Sequence, residues 1–421
     1  MKRFLLVMLS VYSITHTAAR AEAPASLLPT PMPPRLLRTL AHEPDGYDPN
    51  RKRVATDLLL GDLLFHSPLT LGPRAQAMGL SCHACHPNGA THATLSLPGL
   101  SDRPGNVDLT TSHFRAGADD GISNGVNIPS LRGVRYSGPY GHDGRTASLA
   151  EFAQGVITQE FAGELLSPPR LAALVHYLQD LDFLPNRGLD ARGRLVTRSK
   201  TVAASQSAVR GEKLFAMARE GFSGKSCASC HVPSSFFRDG QVHRIGSGNP
   251  ASPYSFDDGY ETPTLLNTAE TAPYFHDGRF ATLAAVVDWF NDSHALKMTA
   301  SERADLTAYL TVVGATDQKT DDRPLGQRMV QTFTYLALLT DGESRDDRKI
   351  WTMVLEQVAQ ALSVGGPEPE LLRARVANAR ERVASLRARC ESGAALETLR
   401  GEVTVLHREL VRLAADWTGA L

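Results

Sequence analysis

Two copies of one five-residue spacing constrain this chain more than any other feature: Cys82-His83-Ala84-Cys85-His86 and Cys227-Ala228-Ser229-Cys230-His231. Both are C-x-x-C-H, the attachment signature of c-type haem. Two thiols about one helical turn apart reach the two vinyl groups of a haem, and the adjacent imidazole then meets the iron from the same side. Three plainer readings compete. A thioredoxin-like C-x-x-C expects a βαβ setting, which neither copy has. A four-cysteine zinc site leaves the two following histidines without a role. A disulfide between close neighbours accounts poorly for both copies at once. With 5 Cys in 421 residues the chain is too cysteine-poor for a disulfide scaffold, and four of the five sit in the motifs.

The flanks of the motifs repeat as well. Ile128-Pro129-Ser130-Leu131-Arg132 and Pro139-Tyr140-Gly141-His142-Asp143-Gly144-Arg145 follow the first, then Leu149. Thr262-Pro263-Thr264-Leu265-Leu266 and Pro273-Tyr274-Phe275-His276-Asp277-Gly278-Arg279 follow the second, then Leu283. A helical pattern opens each copy, Thr56 to Phe65 and Ala208 to Ala218, and another closes it, near Leu171–Leu178 and Ala304–Leu310. The motif histidines are separated by about the length of one small domain. The expected fold is mainly α: two tandem cytochrome c-like haem domains followed by a C-terminal helical bundle or hairpin.

The chain begins with a basic pair, Lys2 and Arg3, an apolar run from Phe4 to Ile14, and Ala21-Glu22-Ala23. This is the pattern of a secretory signal over residues 1–23, and it predicts a periplasmic mature protein. The apolar run falls well short of the roughly 20 residues that span a bilayer, and no later segment reaches that length, so no membrane span is expected. With 44 Lys+Arg against 45 Asp+Glu the net charge is -1, which offers no long-range pull toward nucleic acid; no nucleic-acid partner is expected.

These motifs together resemble the bacterial di-haem cytochrome c peroxidase/MauG family, over about residues 50 to 315 and most specifically in Thr262-Pro263-Thr264 and Thr271-Ala272-Pro273-Tyr274-Phe275-His276-Asp277-Gly278. The resemblance implies two covalently bound c-type haems, with Cys82, Cys85, Cys227 and Cys230 as anchors and His86 and His231 as proximal ligands. It implies that hydrogen peroxide meets the first haem while the second receives electrons from a small periplasmic donor, a cytochrome c or a copper protein. It also implies a calcium ion between the domains, held by the backbone carbonyls of Thr271 and Pro273 and completed by an Asn, for which Asn106 and Asn124 are candidates; oxygen-only ligation suits that ion.

The departures from the family bear on mechanism. The slot where the family places a Met or Tyr on the second haem is Phe290, which cannot ligate iron; His294 and Met298 lie just beyond it. Thr299-Ala300-Ser301-Glu302 reads as a capping box, which makes Met298 a hydrophobic staple, and His294 is the candidate distal ligand. For the first haem the candidate sixth ligands are His92, His113 and His142. The two positions that flank the family's peroxide site fall on Tyr140 and Ala150, with Glu151 next along. Peroxide cleavage needs a group that takes a proton from one oxygen and returns it to the other. The candidates are Glu151, His142 and His113, with Tyr140 as a donor. All three tryptophans lie outside the first haem domain, so electron flow between haems falls to Tyr136, Tyr140 or the haem edges.

The expected organisation is a signal over 1–23, a first haem domain over 24–184, a linker over 185–206, a second haem domain over 207–314 and a C-terminal helical domain over 325–421. In the last, apolar residues recur at three and four from Leu372 to Cys390 and from Leu396 to Trp417, broken by Ser392-Gly393. They predict an amphipathic hairpin with Cys390 as a buried thiol, whose surface would serve to cover the haem domains, to form a homodimer or to dock a donor. The leading functional expectation is peroxide reduction. The alternatives are MauG-like oxidation of a protein partner and electron transfer without peroxidase activity.

Overall fold

The computed structural model describes residues 49–119, 121–196, 205–248, 259–317, 325–340, 343–364 and 370–420. The signal sequence, residues 197–204 of the linker and residues 318–324 lie outside them. Helices dominate; the strands are four two-residue pieces.

The sequence repeat is also a repeat in space. In the first half, α1 (Pro49–His66), α2 (Leu149–Gly155) and α3 (Pro168–Asp180) surround the loop that carries the first motif. In the second, α4 (Gln206–Phe215), α5 (Leu283–Ser293) and α6 (Ala300–Gly314) do the same. Each opening helix crosses its closing helix at a glycine. A Cβ on Gly61 would lie 2.1 Å from the carbonyl oxygen of Ala173, and one on Gly211 would lie 2.0 Å from that of Asp305. Tyr177 and Tyr309 stand at matching places beside these crossings. No side chain larger than hydrogen fits either one.

Local signals set the helix starts. Ser205, Thr282 and Ser148 cap α4, α5 and α2 by accepting N–H bonds from Ala208, Ala285 and Glu151. Thr299 and Glu302 form the expected reciprocal capping box on α6. Between the helices, β1 (Asn106–Val107) pairs antiparallel with β2 (Val126–Asn127), and β3 (Val242–His243) with β4 (Tyr260–Glu261).

The two halves differ in what covers them. Phe215, Phe237, Tyr309 and Val313 of the second half form a core of their own, which Phe183, from the end of the first half, also enters. Leu189 and Leu195, from the linker, join it, so the described start of the linker is packed rather than free. The core of the first half instead runs without a break into the C-terminal helices α7 (Leu325–Thr334), α8 (Arg348–Val364), α9 (Arg373–Glu391) and α10 (Leu396–Ala420). Phe333, Leu336, Trp351 and Val354 are fully buried there. The facing seams of α9 and α10 bury Val376, Val383, Leu386 and Cys390 with Leu399, Val403, Leu406 and Leu410. Among the described residues no helix is long and apolar enough to cross a membrane.

Candidate functional site

Each C-x-x-C-H motif folds into a single tight turn. The N–H of His86 bonds the carbonyl of Cys82 at 2.8 Å, and that of His231 bonds Cys227 at 2.9 Å. His86 Nδ1 donates to the Pro129 carbonyl at 2.9 Å; His231 Nδ1 donates to Phe237 O at 3.0 Å, with the carbonyl of Pro263, the repeat mate of Pro129, also engaging it. A histidine held this way has its tautomer fixed, with the Nε2 lone pair free for a metal. Burial lowers both imidazoles, His86 to about 4, so each is the neutral form a metal requires.

None of the four motif cysteines is in a disulfide. Burial pushes the Cys82 thiol up to about 12 and Cys85 and Cys227 to about 11. Among the described residues the four do not converge on a metal-sized site; Cys230 lies instead with Asp239 and His243, their ligand atoms within 4.8 Å. Two separate sets of two neutral thiols and one oriented imidazole fit covalent haem and do not fit a shared zinc.

The residues proposed to handle peroxide are scattered. Glu151 is exposed in the first turn of α2. His113 is exposed, with Nε2 3.1 Å from the Met78 sulfur. Tyr140 is half-buried, stacked on Phe152, and burial raises its hydroxyl pKa. His142 donates from Nε2 to the Asn127 carbonyl at 3.1 Å, and burial lowers it. Among the described residues no hydrogen bond joins these four. His92 donates from Nδ1 to the Ala84 carbonyl at 2.8 Å. A carboxyl that sequence reasoning missed is better enclosed. Glu160 ends a π-helical turn, Val156–Glu160, whose Val156 and Ile157 pack in the same core as Cys82, Cys85 and Tyr140. Burial raises the Glu160 pKa, and Arg145 of the first H-D-G-R, 3.1 Å away, only partly offsets this.

Near the second motif, His294 follows α5 and stacks on Phe290, ring centroids 5.7 Å apart, with Phe222 and Trp289 around it. Its Nε2 is buried without a hydrogen-bond partner, and burial lowers its pKa. Met298 is buried and lines a small cavity with Cys227, Met217 and Leu306.

The seam between the halves is reciprocal. Asn127 N–H donates to the carbonyl of His276 at 2.8 Å, and Glu261 N–H, its repeat mate, donates to that of His142 at 3.0 Å. On one side the Asn127 side chain donates to the carbonyls of Pro273 and Phe275, and Asn106 to that of Asp277. Asn127 Oδ1 is buried with no partner, an oxygen available to a cation beside Pro273 O. Asn124 accepts from the Thr110 hydroxyl within the first half, and Asn127 was not among the sequence candidates. On the other side the buried Arg238 guanidinium donates to the carbonyls of Tyr136, Ser137 and Gly138 and pairs with Glu261. Tyr136 stacks on Phe236 there, centroids 4.3 Å apart, and Phe236 is next to the residue that orients His231.

Residues 205–340 match the di-haem cytochrome c peroxidase family. The hydrazine synthase subunit gamma of Kuenenia stuttgartiensis is 25% identical over 267 residues, 49% of this chain and 72% of that protein. The methylamine utilization protein MauG of Methylorubrum extorquens is 28% identical over 267 residues, 52% of this chain and 75% of that protein. Among solved structures, hydrazine synthase of Kuenenia stuttgartiensis under xenon pressure is similar at 22% identity and a TM-score of 0.44, covering 74% of this chain and 100% of that one. The twin motifs, the oriented imidazoles and the matched sequence lead to one assignment: residues 205–340 are a di-haem cytochrome c peroxidase-family domain, and the chain is related to MauG and to the hydrazine synthase gamma subunit.

Proposed function

We propose that this chain is a periplasmic di-haem c-type cytochrome with two tandem haem domains and a C-terminal helical bundle. It reduces hydrogen peroxide at the first haem with electrons that a small redox protein delivers through the second. The observation that carries the reading is the pair of C-x-x-C-H turns, each with its imidazole oriented by a backbone carbonyl. When bound, the haems would relay two electrons, given up by two molecules of the reduced one-electron donor, in an overall change in which hydrogen peroxide, two electrons and two protons give two water molecules.

The residues around the motifs have distinct parts in this reading. Glu160 is the group that moves the proton, because it is the enclosed carboxyl on the turn that packs with Cys82 and Cys85, and burial raises its pKa against the pull of Arg145. Arg145 fixes its orientation. Glu151, in solvent, is set aside for this part. His294 Nε2, desolvated and unpartnered beside the Phe290 slot, serves as the distal ligand of the second haem. The Tyr136–Phe236 stack joins the two halves for electron passage. Calcium is held by the carbonyls of Thr271 and Pro273 with Asn127 as the side-chain ligand. A second reading, electron carriage alone, draws on the scattering of Glu151, His113, Tyr140 and His142.

The test is a steady-state assay with hydrogen peroxide and a reduced small cytochrome, after reductive activation and added calcium. Turnover that falls in Glu160→Gln and not in Glu151→Gln supports the peroxidase. No turnover from protein that holds two covalent haems overturns it in favour of carriage.

A further inference from the structure

One buried polar series belongs to the first half alone. Asp62, on α1, is fully buried. Its Oδ2 accepts hydrogen bonds from Tyr335 Oη at 2.8 Å and from Gln331 Nε2 at 2.6 Å, both in the C-terminal segment. Its Oδ1 lies 3.0 Å from His66 Nδ1, which also donates to the Asp62 carbonyl at 2.9 Å. The His66 ring lies against that of His83, centroids 4.3 Å apart and planes 32° apart. His83 stands between the two attachment cysteines, and its Nδ1 accepts the Asn88 N–H at 3.2 Å. The series thus runs from the C-terminal helices to the first attachment loop.

The repeat supplies an internal control. Gly61, Phe65 and Tyr177 have their mates in Gly211, Phe215 and Tyr309, whereas Asp62, His66 and His83 are answered by Glu212, Ala216 and Ala228. Glu212 is engaged within the second half, accepting the Leu195 N–H at 3.1 Å. Taking a carboxylate out of water costs several kcal/mol, and a well-packed apolar residue usually does as well for stability alone. A buried charge kept in one repeat and not in the other therefore calls for a role particular to the first site.

We infer that Asp62, His66 and His83 are a positioning chain through which the C-terminal helices fix the first attachment loop and set the electrostatic environment of the first haem, leaving the second untouched. The inference rests on the reading of Cys82–His86 as a haem attachment site. Burial by itself would raise the Asp62 carboxyl; the His66 charge and the hydrogen bonds from His66, Gln331 and Tyr335 override it and hold the group at about 2, so it is an anion at working pH. Asp62 and His66 together form an ion-pair dipole with its cationic end toward His83, so removing the carboxylate changes the field at the first attachment loop and not at the second.

The experiment is a spectroelectrochemical titration of the holoprotein, after a pyridine haemochrome assay has counted its covalent haems. A count below two overturns the haem reading itself, before any variant is made. With two haems present, the wave of the first is identified by its loss in the Cys82→Ser/Cys85→Ser variant. Asp62→Asn is expected to move that wave and leave the other in place. Combining Asp62→Asn with His83→Ala is expected to give less than the sum of the separate shifts, because the two residues act through one series. Tyr335→Phe, which leaves the carboxylate its other partners, gives a smaller shift of the same wave alone and stands in should Asp62→Asn not fold. Waves that move together, or neither moving while two haems are bound, overturn the inference.

Discussion

The two halves of this molecule share a scaffold and differ in what they connect to. Both cross their opening and closing helices at a glycine, both turn a C-x-x-C-H loop with the same backbone bond, and both aim the motif imidazole with a carbonyl. The first half shares its core with the C-terminal helices and carries a buried Asp62. The second keeps a core of its own and carries an unpartnered imidazole nitrogen at His294. A duplicated frame thus supplies identical attachment geometry, and the side chains added to it make two unlike sites.

The largest effect that would break the comparison is loss of a cofactor from one half alone. Cys82→Ser/Cys85→Ser is expected to halve the covalent haem per chain and abolish the reaction of the prereduced protein with hydrogen peroxide, while Cys227→Ser/Cys230→Ser halves the haem and abolishes reduction of the oxidised protein by the donor in the absence of peroxide. A pyridine haemochrome assay beside the two kinetic assays reads this. If the two variants behave alike, the halves are not specialised. Next in size is proton handling: Glu160→Gln is expected to lower peroxide turnover by about 10²–10⁴-fold, the range for loss of a general acid–base group, with Glu151→Gln near the parent rate.

The seam sharpens the comparison in a different way, because one side is closed by the Arg238 guanidinium and the other is the proposed calcium site. Arg238→Met removes one partner of a buried pair and leaves the Glu261 carboxylate alone; such losses cost about 3–5 kcal/mol, read as a shift of the denaturant midpoint. Asn127→Ala on the opposite side is expected to cost about 1–3 kcal/mol, and only this variant should lose the stabilising response to added calcium. Smallest is the shared frame: Gly61→Ala and Gly211→Ala are each expected to destabilise by about 1–3 kcal/mol through overpacking at a backbone carbonyl. Equal costs at the two positions confirm a common frame, and a negligible cost at one of them breaks it.

Much of this was legible in the sequence where the determining physics is local. C-x-x-C-H needs only one turn, the Thr299–Glu302 box spans four residues, and the seam of α9 and α10 follows from helical period. The reading failed where the partner is distant. Of the seam candidates Asn106 and Asn124, Asn106 does reach across, to the Asp277 carbonyl, whereas Asn127, which was not named, reaches Pro273 because β2 places it there, a fact of tertiary pairing. Glu151 came from counting along the family resemblance, and Glu160 was not considered because the π-helical turn that carries it has no spacing signal in the sequence. Apolar spacing in the C-terminal helices gave the buried face and not its neighbour, so their attachment to the first half, and the burial of Asp62 beneath Tyr335, had no local signal.

The central claim is that two equal attachment sites hold two unequal irons, the second closed by His294 and the first open. Electron paramagnetic resonance of the oxidised holoprotein tests it most directly. The account predicts one high-spin and one low-spin signal in equal amounts per chain, with the low-spin signal converted in His294→Ala. Two low-spin signals of equal weight, unchanged in that variant, would contradict it.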